Sequence, residues 1–88
     1  MALFLIERNY AEQLGEITKA GIVQTGEVND ELGLDWLFSF MTADRKKTYC
    51  LYEASNVELI REQAKCLGLP TDVIVEVSQL SPTMFDRA

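Results

Sequence analysis

Three glutamates carry most of the chemistry this sequence can offer. Glu7 ends the apolar run Ala2-Leu3-Phe4-Leu5-Ile6, Glu53 lies in Lys47-Thr48-Tyr49-Cys50-Leu51-Tyr52-Glu53-Ala54, and Glu76 lies in Val73-Ile74-Val75-Glu76-Val77. All three stretches read as strands, in which successive side chains alternate between faces. Counting by parity puts Leu3, Leu5 and Glu7 together on the first, Tyr49, Leu51 and Glu53 on the third, and Ile74, Glu76 and Ser78 on the last. Where those strands are neighbours, Glu7, Glu53 and Glu76 project into one pocket lined by Tyr49 and Trp36. Three carboxylates without imidazole suit a divalent metal held through oxygen. They equally suit a general base, with Tyr49 or Tyr52 donating to a developing oxyanion. At strand ends the same side chains would instead be solvated or paired with Arg8, Arg61 or Lys65, and a one-residue slip of register would send Glu76 to the other face.

Several function classes are set aside by what is absent. The chain has no histidine, which excludes imidazole dyads and triads and His-containing zinc sites. Its formal charge of −6 argues against nucleic acid as a partner, since such binding rests on phosphate neutralisation. Neither a P-loop, a G-x-G-x-x-G nor a G-x-S-x-G occurs. Cys50 and Cys66 have no companion ligands and are expected to be buried free thiols. The basic run Arg45-Lys46-Lys47 could grip an anion, but three adjacent cations in a tight turn read first as a solvated loop. No apolar stretch is long enough for a membrane span, and the first six residues lack the basic flank of a signal peptide, so a cytoplasmic location is expected.

The elements that must position the glutamates follow from periodicity and punctuation. Residues 2–8 read as a strand. Asn9 with Glu12 resembles a capping box, so the spacing predicts a helix opening at Tyr10 or Ala11, striped by Leu14, Ile17, Gly21 and Val28 with Ala20 and Val23 beside them, and finished by Gly33. Residues 35–42 form a second strand with Trp36, Phe38 and Phe40 on one face and Leu37 and Met41 on the other. A polar hairpin loop over residues 43–47 leads to its partner at 49–54. Ser55-Asn56-Val57-Glu58 caps a second helix striped by Val57, Ile60, Ala64 and Leu67 and closed by Gly68, and a last strand runs over 72–79. Residues 1–80 thus read as one domain, with 81–88 as a C-terminal tail carrying Met84 and Phe85.

The order βαββαβ predicts an α+β, ferredoxin-like fold: a four-stranded antiparallel sheet in the order 4-1-3-2, with both helices on one face. At 88 residues and 48% hydrophobic, the strands hold more apolar side chains than two helices can cover. The uncovered face predicts a homodimer, sheet against sheet about a two-fold axis, with a cavity between the sheets for a small-molecule ligand.

The residues also bear a family likeness. Phe4-Leu5-Ile6-Glu7-Arg8, Trp36-Leu37-Phe38-Ser39-Phe40, the stretch Lys47 to Ala54, Gly68-Leu69-Pro70 and Val75-Glu76-Val77 together resemble a small bacterial family of unknown function that includes a nickel-binding, nickel-responsive protein. The resemblance spans about residues 3–80 and implies a dimeric α/β barrel of ferredoxin-like topology. Imidazole supplies much of that relative's metal binding, and with no histidine to match, the nickel site does not transfer. The expected function is therefore a homodimeric barrel that binds a small ligand or an oxygen-liganded divalent metal through Glu7, Glu53 and Glu76. The alternative is a cofactor-free enzyme of oxygenase or isomerase type, built on one of these carboxylates.

Overall fold

A computed structural model describes residues 1–85; the last three residues of the expected C-terminal tail lie outside the described residues. The element order is β1 (Ala2–Asn9), α1 (Lys19–Leu32), β2 (Asp35–Met41), β3 (Lys47–Ala54), α2 (Val57–Leu67) and β4 (Val73–Val77), followed by a 3-10 turn at Pro82–Phe85. The strands form one antiparallel sheet in the order β2-β3-β1-β4, the ferredoxin-like arrangement expected from the sequence. No helix among the described residues is long and apolar enough to cross a membrane.

Alternation along the two central strands divides the molecule. In β1, Phe4, Ile6 and Arg8 are buried while Leu3, Leu5 and Glu7 are half-buried; in β3, Thr48, Cys50, Tyr52 and Ala54 are buried while Tyr49, Leu51 and Glu53 are half-buried. The buried set faces the helices. Phe4, Ile6, Cys50, Tyr52 and Ala54 pack with Ile60 of α2 and with Leu34 into one core. The register pairs Ile6 with Cys50 and Phe4 with Tyr52, so these side chains lie directly opposite one another on the same face.

α2 matches its sequence pattern. Asn56 caps it by accepting from the Leu59 N–H at 3.2 Å, and Gly68 ends it with φ 68°, a left-handed conformation that glycine adopts without a Cβ penalty. α1 departs from its pattern, because it begins at Lys19 and not at Tyr10 or Ala11. Residues 10–15 are instead tied to the β2–β3 loop. The Tyr10 and Leu14 N–H groups donate to the Lys46 and Arg45 carbonyls, and the Arg45 guanidinium donates to the carbonyls of Leu14 and Gly15 at 2.9 and 2.6 Å. Tertiary hydrogen bonds thus outweigh a local capping preference. Thr18 takes over as N-cap, accepting from Gly21 N–H, and Gly33 terminates α1 as expected.

β2 also departs from simple alternation. A bulge between Trp36 and Phe38 shifts the register: Trp36 pairs with Tyr52, yet Phe38 pairs with Leu51. Trp36, Ser39 and Met41 therefore share the helix-facing side with Tyr52, Cys50 and Thr48, while Phe38 and Phe40 lie on the open side. The expected single stripe of Trp36, Phe38 and Phe40 is divided between the two faces.

Ile60 is fully buried beneath α2, so Ile60→Ala is expected to cost about 2–5 kcal/mol in urea denaturation. Burial is the main reason the Tyr52 phenol is pushed above its ordinary value of 10.0. A proton held more tightly in the fold than in the unfolded chain gives stability that is complete below pH 10.0 and declines as pH rises through the native value. Tyr52→Phe is expected to remove that alkaline slope, seen as a flatter stability curve above pH 10.0 beside the parent protein.

Candidate functional site

The three glutamates do not converge. Glu7 sits opposite Tyr49 and Glu53 opposite Leu3, so both lie on the open face but four residues apart along the sheet, about 13 Å at 3.3 Å per residue. Glu76 pairs with Phe4, which points to the helices, while Val73, Val75 and Val77 take the open face of β4. The last strand therefore runs one residue out of step with the parity expected of it, and Glu76 leaves the proposed pocket. Trp36 leaves it as well. Through the bulge it turns to the helix side, where its ring stacks on Tyr52 with centroids 6.3 Å apart and its Nε1–H donates to Ser39 Oγ at 2.8 Å.

What remains on the open face is a polar group at each end of an apolar sheet. At the hairpin end, Glu7 Oε2 accepts from Asn9 Nδ2 at 3.1 Å and pairs with Lys47 Nζ at 3.5 Å, and that ammonium also lies 5.8 Å from the centre of the Tyr49 ring. Glu7 is the leading cause that raises the Lys47 pKa above its ordinary value. At the other end Glu53 lies opposite Asp35. Toward this end a groove of about 570 Å³ is lined by Leu3, Leu5, Leu37, Phe38 and Leu51, together with Glu53, Ser78 and Gln79.

A resident metal ion does not fit this donor set. Among the described residues no three of the His, Cys, Asp and Glu side chains gather closely enough to hold one. The two thiols are separate: Cys50 is buried on the helix side beside Thr48, whereas Cys66 is exposed on α2, contrary to the expectation that both are buried. The basic loop is also committed. Arg45 grips Leu14 and Gly15, Lys47 pairs with Glu7, and the Asp44 carboxylate accepts from Thr42 Oγ1 and Lys46 N–H, contacts that hold its pKa below the usual value.

The polar cluster that the sequence reading missed lies on the opposite face. Arg8 is only 1% exposed. Its Nη1 donates to the Pro70 carbonyl at 2.9 Å and its Nη2 to Gln63 Oε1 at 3.2 Å; Gln63 Nε2 in turn donates to Asn29 Oδ1 at 2.8 Å and to Tyr52 OH at 2.7 Å. Beside this network, between the sheet and the first half of α1, is a second cavity of about 470 Å³. The signal for it was parity: Phe4, Ile6 and Arg8 alternate in step, so a cation occupies a core position.

Comparison with known proteins gives one family and one structure. The family described as nickel responsive protein SCO4226-like matches residues 4–77. The fold is similar to the crystal structure of SCO4226 from Streptomyces coelicolor A3(2), with a TM-score of 0.68 and 18% sequence identity over 91% of this chain and 100% of that one. No curated protein matches the chain.

Glu7→Gln removes the main cause of the raised Lys47 pKa. The Lys47 ammonium, followed by NMR of its side-chain resonances, is expected to titrate at lower pH in that variant. Glu76→Gln, on the other face, should leave that titration unchanged.

Proposed function

The chain belongs to the family of nickel responsive proteins similar to SCO4226, and from that membership we propose that it works as a homodimeric α/β barrel in which the open sheet faces of two copies meet and enclose a small ligand. The observation that carries this reading is the open face itself. Phe38 is 51% exposed, Phe40 65% and Val75 46%, and they are continuous with Leu3, Leu5, Leu51 and Val77 across all four strands. At about 4.8 Å between strands and 3.3 Å per residue, the patch measures roughly 19 by 17 Å. That is on the order of 300 Å² in projection, comparable to the largest apolar patch of an ordinary monomer, a patch that is often functional.

A second copy suits this surface in polarity, and its ends also differ in charge. Asp35 and Glu53 lie together at one end of the sheet, whereas at the hairpin end Lys47 is paired with Glu7 and Lys46 stands in the loop beside it. A two-fold axis lying across the strands brings Lys46 of one copy toward the acidic end of its partner. Closure would convert the groove beside Leu5 and Leu51 into a chamber with Glu53 as its polar contact. The nickel response named for the family gains no donor set from the described residues of one copy, and no metal step is drawn from it. The enzymatic alternative has weaker support, because Glu7 is engaged by Lys47 and Asn9 and Tyr52 lies on the opposite face, bonded to Gln63.

Native mass spectrometry at micromolar concentration is expected to show a species of twice the 9.9 kDa chain mass. Placing lysine at two open-face positions, Phe38→Lys with Val75→Lys, should yield a monomer with unchanged far-ultraviolet circular dichroism. A parent protein that is already monomeric at that concentration would overturn the reading.

A further inference from the structure

We propose that the cavity on the helix side of the sheet is a binding site for a small monocarboxylate with an apolar body, anchored by Arg8. The inference does not depend on the dimer, since this cavity lies on the other face of the sheet.

The argument begins with the charge. A guanidinium taken out of water is strongly disfavoured unless an anion or a full set of acceptors replaces its hydration. Arg8 is almost wholly buried, yet among the described residues no carboxylate lies within ion-pairing distance of it; the two ion pairs found there are Lys47 with Glu7 and Arg61 with Glu58. Its two hydrogen-bond partners, the Pro70 carbonyl and the Gln63 amide oxygen, are neutral. They orient the planar group without neutralising it. A guanidinium carries five N–H donors, of which these two bonds engage one on each terminal nitrogen, so what the site offers an anion is mainly an unneutralised positive charge.

The surroundings define the rest of the ligand. Arg8 lines the cavity of about 470 Å³, a volume within the usual range for small-molecule sites. Thr48, directly across the strand pair from Arg8, and Ser39, on the next strand, present hydroxyls on the same side. The Ser39 hydroxyl accepts from Trp36 and so keeps its own proton to donate. The remaining wall is mostly apolar, with Thr18, the N-cap of α1, and Thr25 as polar exceptions, and Trp36, Ile22 and Met41 would face the body of the ligand. Two features favour a single negative charge over a phosphate dianion. The protein carries a net charge of −6, and Glu16 stands exposed at the rim of the cavity.

Trp36 is the only tryptophan in the chain and lines the cavity, so its emission reports occupancy directly. Benzoate is expected to change Trp36 fluorescence saturably, with benzamide, its neutral isostere, at least about tenfold weaker because it forfeits the charge-assisted bonds. Inorganic phosphate should bind more weakly than benzoate. Arg8→Gln should abolish the benzoate response. Should that variant fail to fold, Glu16→Gln decides: removing the rim charge is expected to tighten benzoate by about twofold and leave benzamide unchanged. Amide shifts on benzoate addition should fall at Arg8, Ser39 and Thr48. The proposal is overturned if acid and amide bind alike, if benzoate leaves Trp36 unaffected, or if the shifts map to Tyr49 and Leu51 on the open face.

Discussion

A buried guanidinium organises the helix side of this protein. Through Gln63, Arg8 is joined to α2; through Pro70, to the turn after it; and through Gln63 onward, to Asn29 of α1 and Tyr52 of β3. Each of these polar groups lies in or beside an otherwise apolar core, and among the described residues no buried side-chain nitrogen or oxygen lacks a partner. A network of this kind is sensitive to geometry, because removing one member leaves the others desolvated and unpaired. It therefore limits how α1 and α2 can sit on the sheet. Asn29 is the one fully buried residue of α1, so that helix is held at its C-terminal half by the network while its first half stands off the sheet over the cavity.

The other face follows from a simpler constraint. Two helices cover one side of four strands, and none of the other described elements forms a layer on the opposite side. The side chains left uncovered are nonetheless apolar, with charge confined to the two ends of the sheet. A sheet that faces water would alternate cleanly between apolar and polar positions; this one is apolar on both sides through β1 and the middle of β3. The bulge in β2 adds to the open face by turning Phe38 and Phe40 toward it, while sending Trp36 and Ser39 to the cavity on the helix side. One irregularity in an edge strand thus equips both faces.

Family membership and site chemistry carry different weight here. The match over residues 4–77 and the fold likeness to SCO4226 describe a shared scaffold. Metal binding depends on donors, and scaffold alone does not supply them. With no imidazole in the chain and its glutamates dispersed, the helix-side cavity is the more developed site, because it combines a fixed cation, hydroxyl groups and a mostly apolar wall.

The sequence by itself determined the element order, the antiparallel topology, the cap and end of α2, the end of α1 at Gly33 and the surplus of apolar strand residues. These are local or additive properties: periodicity, capping chemistry and burial capacity are set by residues near one another in the chain. Only the tertiary structure decided where the functional groups meet. Parity holds within a regular strand, but it does not carry across a bulge or fix the register of a partner, so Trp36 and Glu76 take the helix side while Glu7, Tyr49 and Glu53 share the open face. The start of α1 was decided by Arg45, thirty residues away from Gly15, whose hydrogen bonds overrode a local cap. From the sequence Arg8 is expected only as a salt-bridge partner for strand-end glutamates; it lies in the core instead, and the partners that hold it come from Gln63 and Pro70, far along the chain. Long-range hydrogen bonds and strand register are properties of the assembled fold, which is why the anchor of the candidate site emerged only there.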